Sequence, residues 1–325
     1  MKYLGIIRYH RRKKLDKHLT FEIASNWTMN NNLARKILER VLKILSILAL
    51  KRYKPKIISI TGSVGKTSSK EAVYIVLKKK YKVRRSVGSY NNEIGVPLTI
   101  LGEESAGKSI LGWVLIFLKS LVRLVYCSYP EILVLEMGID KPKDMDYLLD
   151  FIRPDVGVVT AISEIPVHLE FFSSVEELAR EKFKLVKAST EQGYAVLNYD
   201  NAVIRKFQPE IKGKLVTFGF DEKADVRASN IVLDSSEVRR ENGVGGISFK
   251  LHFQHSTLPI RLSNILGRHQ IYAALAAAAC GIILDLNLVE ISEALKEMKP
   301  PKGRMNLIKS IKDTHIIDDT YNASP

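Results

Sequence analysis

The stretch Ile57-Ile58-Ser59-Ile60-Thr61-Gly62-Ser63-Val64-Gly65-Lys66-Thr67-Ser68 constrains this chain more than any other. A β-branched run enters a glycine-bearing turn, and a helical pattern follows from Thr67 to Lys80, which reads as strand, phosphate loop and helix. Gly62 and Gly65 allow backbone N–H groups to close around phosphate oxygens, Lys66 adds a point charge, and the Thr67 hydroxyl is a suitable Mg²⁺ ligand. Position 60 is Ile where the longer G-x-x-x-x-G-K-[ST] loop has its first glycine, so the loop is the shorter T-G-x-x-G-K-T form. Thr61, Gly62, Ser63, Val64, Gly65, Lys66, Thr67 and Ser68 are therefore the expected triphosphate-binding residues.

The rest of the chain fits such a loop. Further strands are expected at Glu131 to Glu136, Val156 to Ile162 and Tyr194 to Asn198, with an edge strand at Lys214 to Gly219. Helical patterns at Val175 to Ala188 and Ala202 to Phe207 alternate with them, the signature of a mostly parallel α/β sheet flanked by helices. Residues 225–262 read as a small antiparallel β addition around Glu241-Asn242-Gly243. An Ala-rich helix from His269 to about Leu284 and another from Leu288 to Met298 precede Pro300-Pro301 and Gly303, a break expected to be a domain boundary. Strands at Leu307 to Ile311 and His315 to Asp319 are too few to stand alone. The expected division is 1–55, a basic segment with an amphipathic helix; 56–300, a nucleotide-binding domain; and 301–325, the opening of a further α/β domain that the 325 residues do not complete.

Charge is distributed unevenly. Residues 1–56 hold fifteen Lys or Arg against Asp16, Glu22 and Glu39, a net +12 of the chain's +15. Such a balance points to an anionic partner: nucleotide, nucleic acid or an acidic membrane surface. Leu33 to Leu50 is amphipathic, with Arg35, Lys36, Arg40 and Lys43 in it, and Ile110 to Cys127 is more apolar but carries Lys119 and Arg123. Neither has the roughly 20 uncharged residues of a span, so a peripheral membrane contact through residues 1–56 or 110–127 is set against ordinary packing. No signal peptide is legible, and Cys127 and Cys280 show neither disulfide nor zinc spacing, so a reducing cytoplasm is expected, with the inner membrane face as the finer location.

Glu136 ends a buried apolar strand at the edge where α/β folds bind ligands, while His168 and Lys182, taken singly, are ordinary residues. Their order is not. The short loop, Asn91-Asn92-Glu93-Ile94-Gly95-Val96-Pro97, Glu136-Met137-Gly138, His168-Leu169-Glu170, Ala179-Arg180-Glu181-Lys182, Leu197-Asn198-Tyr199-Asp200, Gly267-Arg268-His269, Gly303-Arg304-Met305 and Asp318-Asp319-Thr320-Tyr321-Asn322-Ala323-Ser324-Pro325 together resemble the Mur ligase family of ATP-dependent amide-forming enzymes. Glu-Met-Gly, Gly-Arg-Met and Asp-Asp-Thr-Tyr-Asn-Ala look most like the branch that adds D-alanyl-D-alanine to a UDP-linked muramoyl tripeptide, across roughly Lys56 to Pro325.

The resemblance implies a mechanism. ATP and two Mg²⁺ ions are the expected cofactors, with Thr67 and Glu136 on one metal, His168 on the second, and Lys182 carbamylated into a carboxylate-like ligand. Lys66, His168 and Lys182 are the catalytic candidates. Asn91 and Asn92 fall on the loop facing an anionic muramyl-peptide-like substrate, Arg304 near the phosphates, and Asp319 at the ribose. The chain departs from the family at Gly267-Arg268-His269-Gln270-Ile271-Tyr272-Ala273: where the family has Gly-x-His-Asn-x-x-Asn, Gln270 keeps an amide for adenine and Ala273 does not. Before Lys56 the +12 segment stands where that branch has a uridine-binding domain. A non-UDP or lipid-linked acid is thus the alternative substrate, and the 325 residues alone are expected to bind nucleotide but turn over poorly. A nucleic-acid-associated P-loop ATPase is the competing class, against which stand the lack of a nucleic-acid module and of an Asn-Lys-x-Asp guanine signature. A membrane adaptor that kept only the fold is opposed by the intact Lys66, Glu136, His168 and Lys182.

Overall fold

The Ile-rich run before the glycine turn forms the middle of a sheet. In the computed structural model, which describes residues 32–126, 128–163, 171–189, 193–234, 245–263, 265, 267–309 and 315–321, β1 (Lys56–Thr61) pairs in parallel with β3 (Ile132–Glu136) on one side and β4 (Val156–Val159) on the other. Including β2 (Val83–Arg85), β5 (Tyr194–Asn198), β6 (Lys214–Gly219), β7 (Val226–Asp234), β8 (Gly246–Phe253) and β9 (Ser256–Ser263), the sheet runs β2-β3-β1-β4-β5-β6-β7-β8-β9. Strand order reverses at β1, the switch point beyond whose carboxyl end α/β proteins bind ligands. The phosphate loop leaves the sheet there.

Parallel pairing holds as far as β7, and β8 and β9 close the sheet as an antiparallel ribbon. Lys214–Gly219, expected at an edge, is instead interior, because the Phe218 and Gly219 end of β6 also pairs with Val226 and Arg227. The expected Glu241-Asn242-Gly243 turn lies outside the described residues.

The helices in chain order are α1 (Asn32–Tyr53), α2 (Lys66–Leu77), α3 (Gly95–Leu101), α4 (Ile110–Tyr126), α5 (Asp144–Leu149), α6 (Val175–Lys187), α7 (Ala202–Phe207), α8 (His269–Ile283) and α9 (Leu288–Leu295). Their starts follow local chemistry: the Ser174 hydroxyl accepts from the Glu177 N–H at α6, and Asn287 and Glu290 form a capping box at α9. Side-chain alternation sorts the helices onto two faces of the sheet. Ile58, Ile60, Ile132 and Val134 join the cluster containing α2 and α8, whereas Ile57, Leu133 and Leu135 join the one containing α1, α3 and α5. A third cluster holds α6 and α7 against β4 and β5. Beyond Pro300-Pro301, β10 (Asn306–Lys309) and β11 (His315–Asp318) form a separate antiparallel pair.

Candidate active site

Two glycines shape the loop between β1 and α2. Gly62 has φ +151°, and a Cβ there would lie 2.1 Å from Thr160 Oγ1; Gly65 has φ +86°. Thr160, one residue past β4, braces the turn: its hydroxyl donates to Val64 O at 2.6 Å and its N–H to Thr61 O at 3.0 Å. The Ser63 N–H donates to Ala161 O at 2.7 Å, and Asn198 at the end of β5 donates to Thr160 O at 2.8 Å. Thr67 and Ser68 are buried in the first turn of α2, and Val64 is exposed at the loop's tip.

Two lysines from different elements meet on one carbonyl. Lys66 Nζ donates to Gly62 O at 2.8 Å and to Ser63 O at 3.3 Å, while Lys182 Nζ, from the buried face of α6, donates to the same Gly62 O at 3.2 Å. Burial pushes the Lys182 amine well below its ordinary value, and the neighbouring Lys66 charge lowers it further. Burial also lowers Lys66; the Glu136 carboxylate opposes that shift. Asp140 acts on both lysines with the same sign as Glu136. Sequence reasoning passed over it as one acid after a Glu-Met-Gly run.

Glu136 is 1 % exposed at the C-terminal end of β3. Its Oε1 accepts from Asn91 Nδ2 at 3.1 Å, whereas its Oε2 has no hydrogen-bond partner and lies 3.4 Å from Lys70 Nζ. Lys70, also unforeseen, is fully buried and donates to Gly88 O at 2.6 Å. A buried carboxylate oxygen with one lone pair direction unfilled, beside a phosphate loop, fits a divalent cation. The donor set read from the sequence mixes a hydroxyl and a carboxylate with residues from other segments. Among the described residues no group of three or more His, Cys, Asp or Glu could hold a metal by itself. His168 lies outside the described residues.

The other expected residues divide. Arg304 reaches the loop: its Nη2 donates to Thr67 Oγ1 at 3.3 Å, and its guanidinium lies 4.3 Å from the centre of the Tyr321 ring, whose hydroxyl contacts Ser89. Asp319 is exposed, accepts from the Met305 N–H at 3.1 Å, and acts electrostatically on His269. Gln270 is fully buried at the start of α8, its Nε2 3.1 Å from His269 Nε2 and its Oε1 without a hydrogen-bond partner. Ala273 is buried one turn on. Asn91 reaches Glu136 across Gly138, where a Cβ would come within 2.9 Å of the Asn91 amide. Asn92 has local work instead, its Oδ1 accepting from the N–H groups of Ile94 and Gly95 at 3.3 and 2.9 Å at the start of α3.

A strand, a glycine turn gripped by Thr160, a buried carboxylate at the adjacent strand's end and two lysine side chains on one carbonyl define a P-loop α/β protein built to receive polyphosphate. Comparison with known proteins narrows the class: the model of the Mur ligase middle domain matches residues 60–111 and 116–281, and the chain belongs to the Mur ligase family. The chain is 29 % identical over 270 residues to the UDP-N-acetylmuramoyl-tripeptide--D-alanyl-D-alanine ligase of Bacillus subtilis, a match covering 83 % of this chain and 50 % of that protein. It is 30 % identical over 270 residues to the ligase of that name from Mycobacterium tuberculosis, covering 83 % and 46 % respectively. Among solved structures, the MurF ligase from Thermotoga maritima in complex with ADP superposes with a TM-score of 0.69 at 27 % identity, covering 88 % of this chain and 58 % of that one. The chain thus spans about half the length of the curated relatives it matches.

Proposed function

We propose that this chain carries the nucleotide-binding and carboxylate-activating site of an ATP-dependent amide ligase of cell-wall precursor synthesis, one that joins D-alanyl-D-alanine to a UDP-N-acetylmuramoyl tripeptide. The meeting of Lys66 and Lys182 on Gly62 O, beside the buried Glu136 carboxylate whose Oε2 accepts no hydrogen bond and is ion-paired only with Lys70, supports this reading most. A simple nucleotide-binding module needs only the first lysine. A ligase must bring a carboxylate against a triphosphate, two anions together, and so needs metal-borne positive charge, which a second lysine turned into a carboxylate-like ligand would help to hold.

In this reading the loop N–H groups and Lys66 hold the β- and γ-phosphates, and Arg304, already against Thr67, neutralises charge on the transferring group. The substrate carboxylate attacks the γ-phosphorus as the bond to ADP breaks; the amine then adds to the acyl carbon of the acyl phosphate and inorganic phosphate leaves. Thr67 and Glu136 would hold one Mg²⁺, and His168 with carbamylated Lys182 a second, the ions supplying charge neutralisation between the two anions. The depressed Lys182 fits carbamylation, since only an unprotonated amine adds to CO₂, forming the N–C bond and releasing a proton. Gln270 is the remaining amide at the adenine end and Asp319 the ribose contact; Asn91 holds Glu136 toward the substrate side. Residues 56–300 form the nucleotide-binding unit. A lipid-linked acid is the second reading, favoured by the outward apolar face of α4, and would set the reaction at the inner face of the membrane.

Phosphate release from ATP is expected to rise when the muramoyl tripeptide and D-alanyl-D-alanine are added together, above the level of Lys66→Ala. Release indifferent to both, or stimulated by DNA, would overturn the reading. Lys182→Ala is expected to lose turnover that small carboxylic acids partly restore, and an absence of rescue would remove the carbamate.

A further inference from the structure

Helix α4 inverts the usual arrangement of an amphipathic helix. Its inner side holds buried Ile116 and Ser120, yet its outer side is also apolar: Ile110, Leu111, Val114, Leu118, Val122 and Val125 are 82, 70, 45, 54, 58 and 60 % exposed. At spacings of one, three and four these side chains make one stripe along a 17-residue helix, about 25 Å long at 1.5 Å per residue. Of its two charges, Arg123, itself partly exposed, bonds Leu101 O and Gly102 O, at 3.2 and 2.7 Å, and pairs with Glu103 at 2.9 Å. Lys119, the other charge, is exposed.

Cations lie close by. Helix α1 packs beside α4, with Tyr53 stacked on Tyr129 at 4.4 Å and its hydroxyl donating to Arg123 O. The exposed positions of α1 mix Leu33, Ile37, Ile44 and Leu48 with Lys36, Arg40, Lys51 and Arg52. A large apolar stripe with flanking positive charge is complementary to one surface above others, an anionic lipid bilayer, where apolar side chains enter the acyl boundary and cations meet headgroups. Self-association through the same face would bring two chains of net charge +15 together. Spanning is excluded for α4, which is shorter than the roughly 30 Å hydrocarbon core; among the described residues no helix is long and apolar enough to cross a membrane.

We propose that α4 lies in the interface of an anionic membrane, its outer stripe embedded, with the cations of α1 supplying the electrostatic attraction. Of the two segments considered from the sequence, the helix Ile110–Tyr126 is the one that inserts and the helix Asn32–Tyr53 the one that attracts. The proposal does not depend on the ligase reading.

Flotation of the full 325-residue chain with vesicles tests it. The chain is expected to float with vesicles of equal parts phosphatidylcholine and phosphatidylglycerol, to stay behind with phosphatidylcholine alone, and to lose binding near ~1 M salt, where the Debye length is about 3 Å. The pair Leu118→Asp with Val122→Asp is expected to lower partitioning at least about tenfold while melting like the wild type, with Leu118→Ser and Val122→Ser as the milder pair should the first not fold. Arg40→Gln with Lys51→Gln should weaken binding less and flatten its salt dependence. A wild-type chain that ignores anionic vesicles, as a monomer or as a dimer by sedimentation, overturns the proposal. So does unchanged binding by the α4 variants, which would assign all the affinity to charge.

Discussion

The outer side of α4 and the space under the phosphate loop depart from the usual partition of side chains in opposite directions. One exposes Ile, Leu and Val where polar groups are the rule; the other buries Lys182, Lys70, Glu136 and Gln270 where apolar groups are the rule. A fold selected only for stability would avoid both, since buried unpaired charge and exposed apolar stripes each cost free energy or invite association. Each departure is relieved by a different kind of ligand. Buried lysines beside a phosphate loop are relieved by polyphosphate and its metal, and an exposed apolar stripe by an apolar surface. The contrast also separates composition from fate: α8, as rich in apolar residues as α4, buries eleven of its fifteen residues, because its alanines let the backbone approach α2 and the sheet closely.

Substitutions can break this contrast, beginning where the effect is largest. Gly62→Ala is expected to cost about 3 kcal/mol and to abolish nucleotide binding, because the new Cβ would meet Thr160 Oγ1 at 2.1 Å in a left-handed conformation. Gly65→Ala, whose Cβ would have ordinary room at 3.6 Å, should cost only the backbone term, about 1–2 kcal/mol. Chemical denaturation of both variants measures the difference, and equal losses would show that Thr160 does not grip the turn.

A smaller effect of opposite sign is expected at the buried amine. Lys182→Met should raise the melting temperature of the ligand-free chain by a few degrees while lowering turnover, because it removes a buried amine whose desolvation the fold otherwise bears. The sign of the pH dependence follows. With the folded Lys182 depressed, the unfolded chain holds a proton that the folded one lacks between the depressed value and the ordinary lysine value, so wild-type stability rises with pH across that window. In Lys182→Met the slope should flatten; an unchanged slope in thermal melts would place the proton uptake elsewhere.

The smallest effect belongs to the outside. Leu118→Asp is expected to change unfolding free energy by less than about 0.5 kcal/mol, because the side chain is 54 % exposed and supports no core cluster. A loss of 2 kcal/mol or more, roughly that of a core truncation, would mean that the α4 stripe is packed against part of this chain.

How much of this was legible in the sequence depended on whether the signal was local. The strand-turn-helix around Lys66, the strand ending at Glu136 and the helix carrying Lys182 were readable, since each rests on periodicity or turn chemistry within a dozen residues. The grip of Thr160 on Gly62 and the salt bridge of Lys70 with Glu136 join segments some 66 to 98 positions apart in one-dimensional order, and only the sheet topology brings them together. β2 is three residues long, too short to show alternation, and β6 was taken for an edge because the sequence does not announce its second partner. Asn92 reads as a substrate amide by its motif, and its Oδ1 also accepts from the N–H groups of Ile94 and Gly95 in the turn before α3, a local bond that short amide side chains make in turns on general grounds. Periodicity marked α4 as apolar. Which side of it would stay uncovered was set by α1 and α3, and no local pattern encodes that.

Calorimetric titration of Mg·ATP into the wild-type chain and into Lys66→Ala tests the loop geometry most directly. Saturable binding by the wild type, weakened at least about a hundredfold in Lys66→Ala with the melting temperature retained, is the result the geometry predicts. Equal affinity in the two proteins would mean that the triphosphate does not lie on the Gly62–Lys66 turn, and the ligase site described above would have to be abandoned.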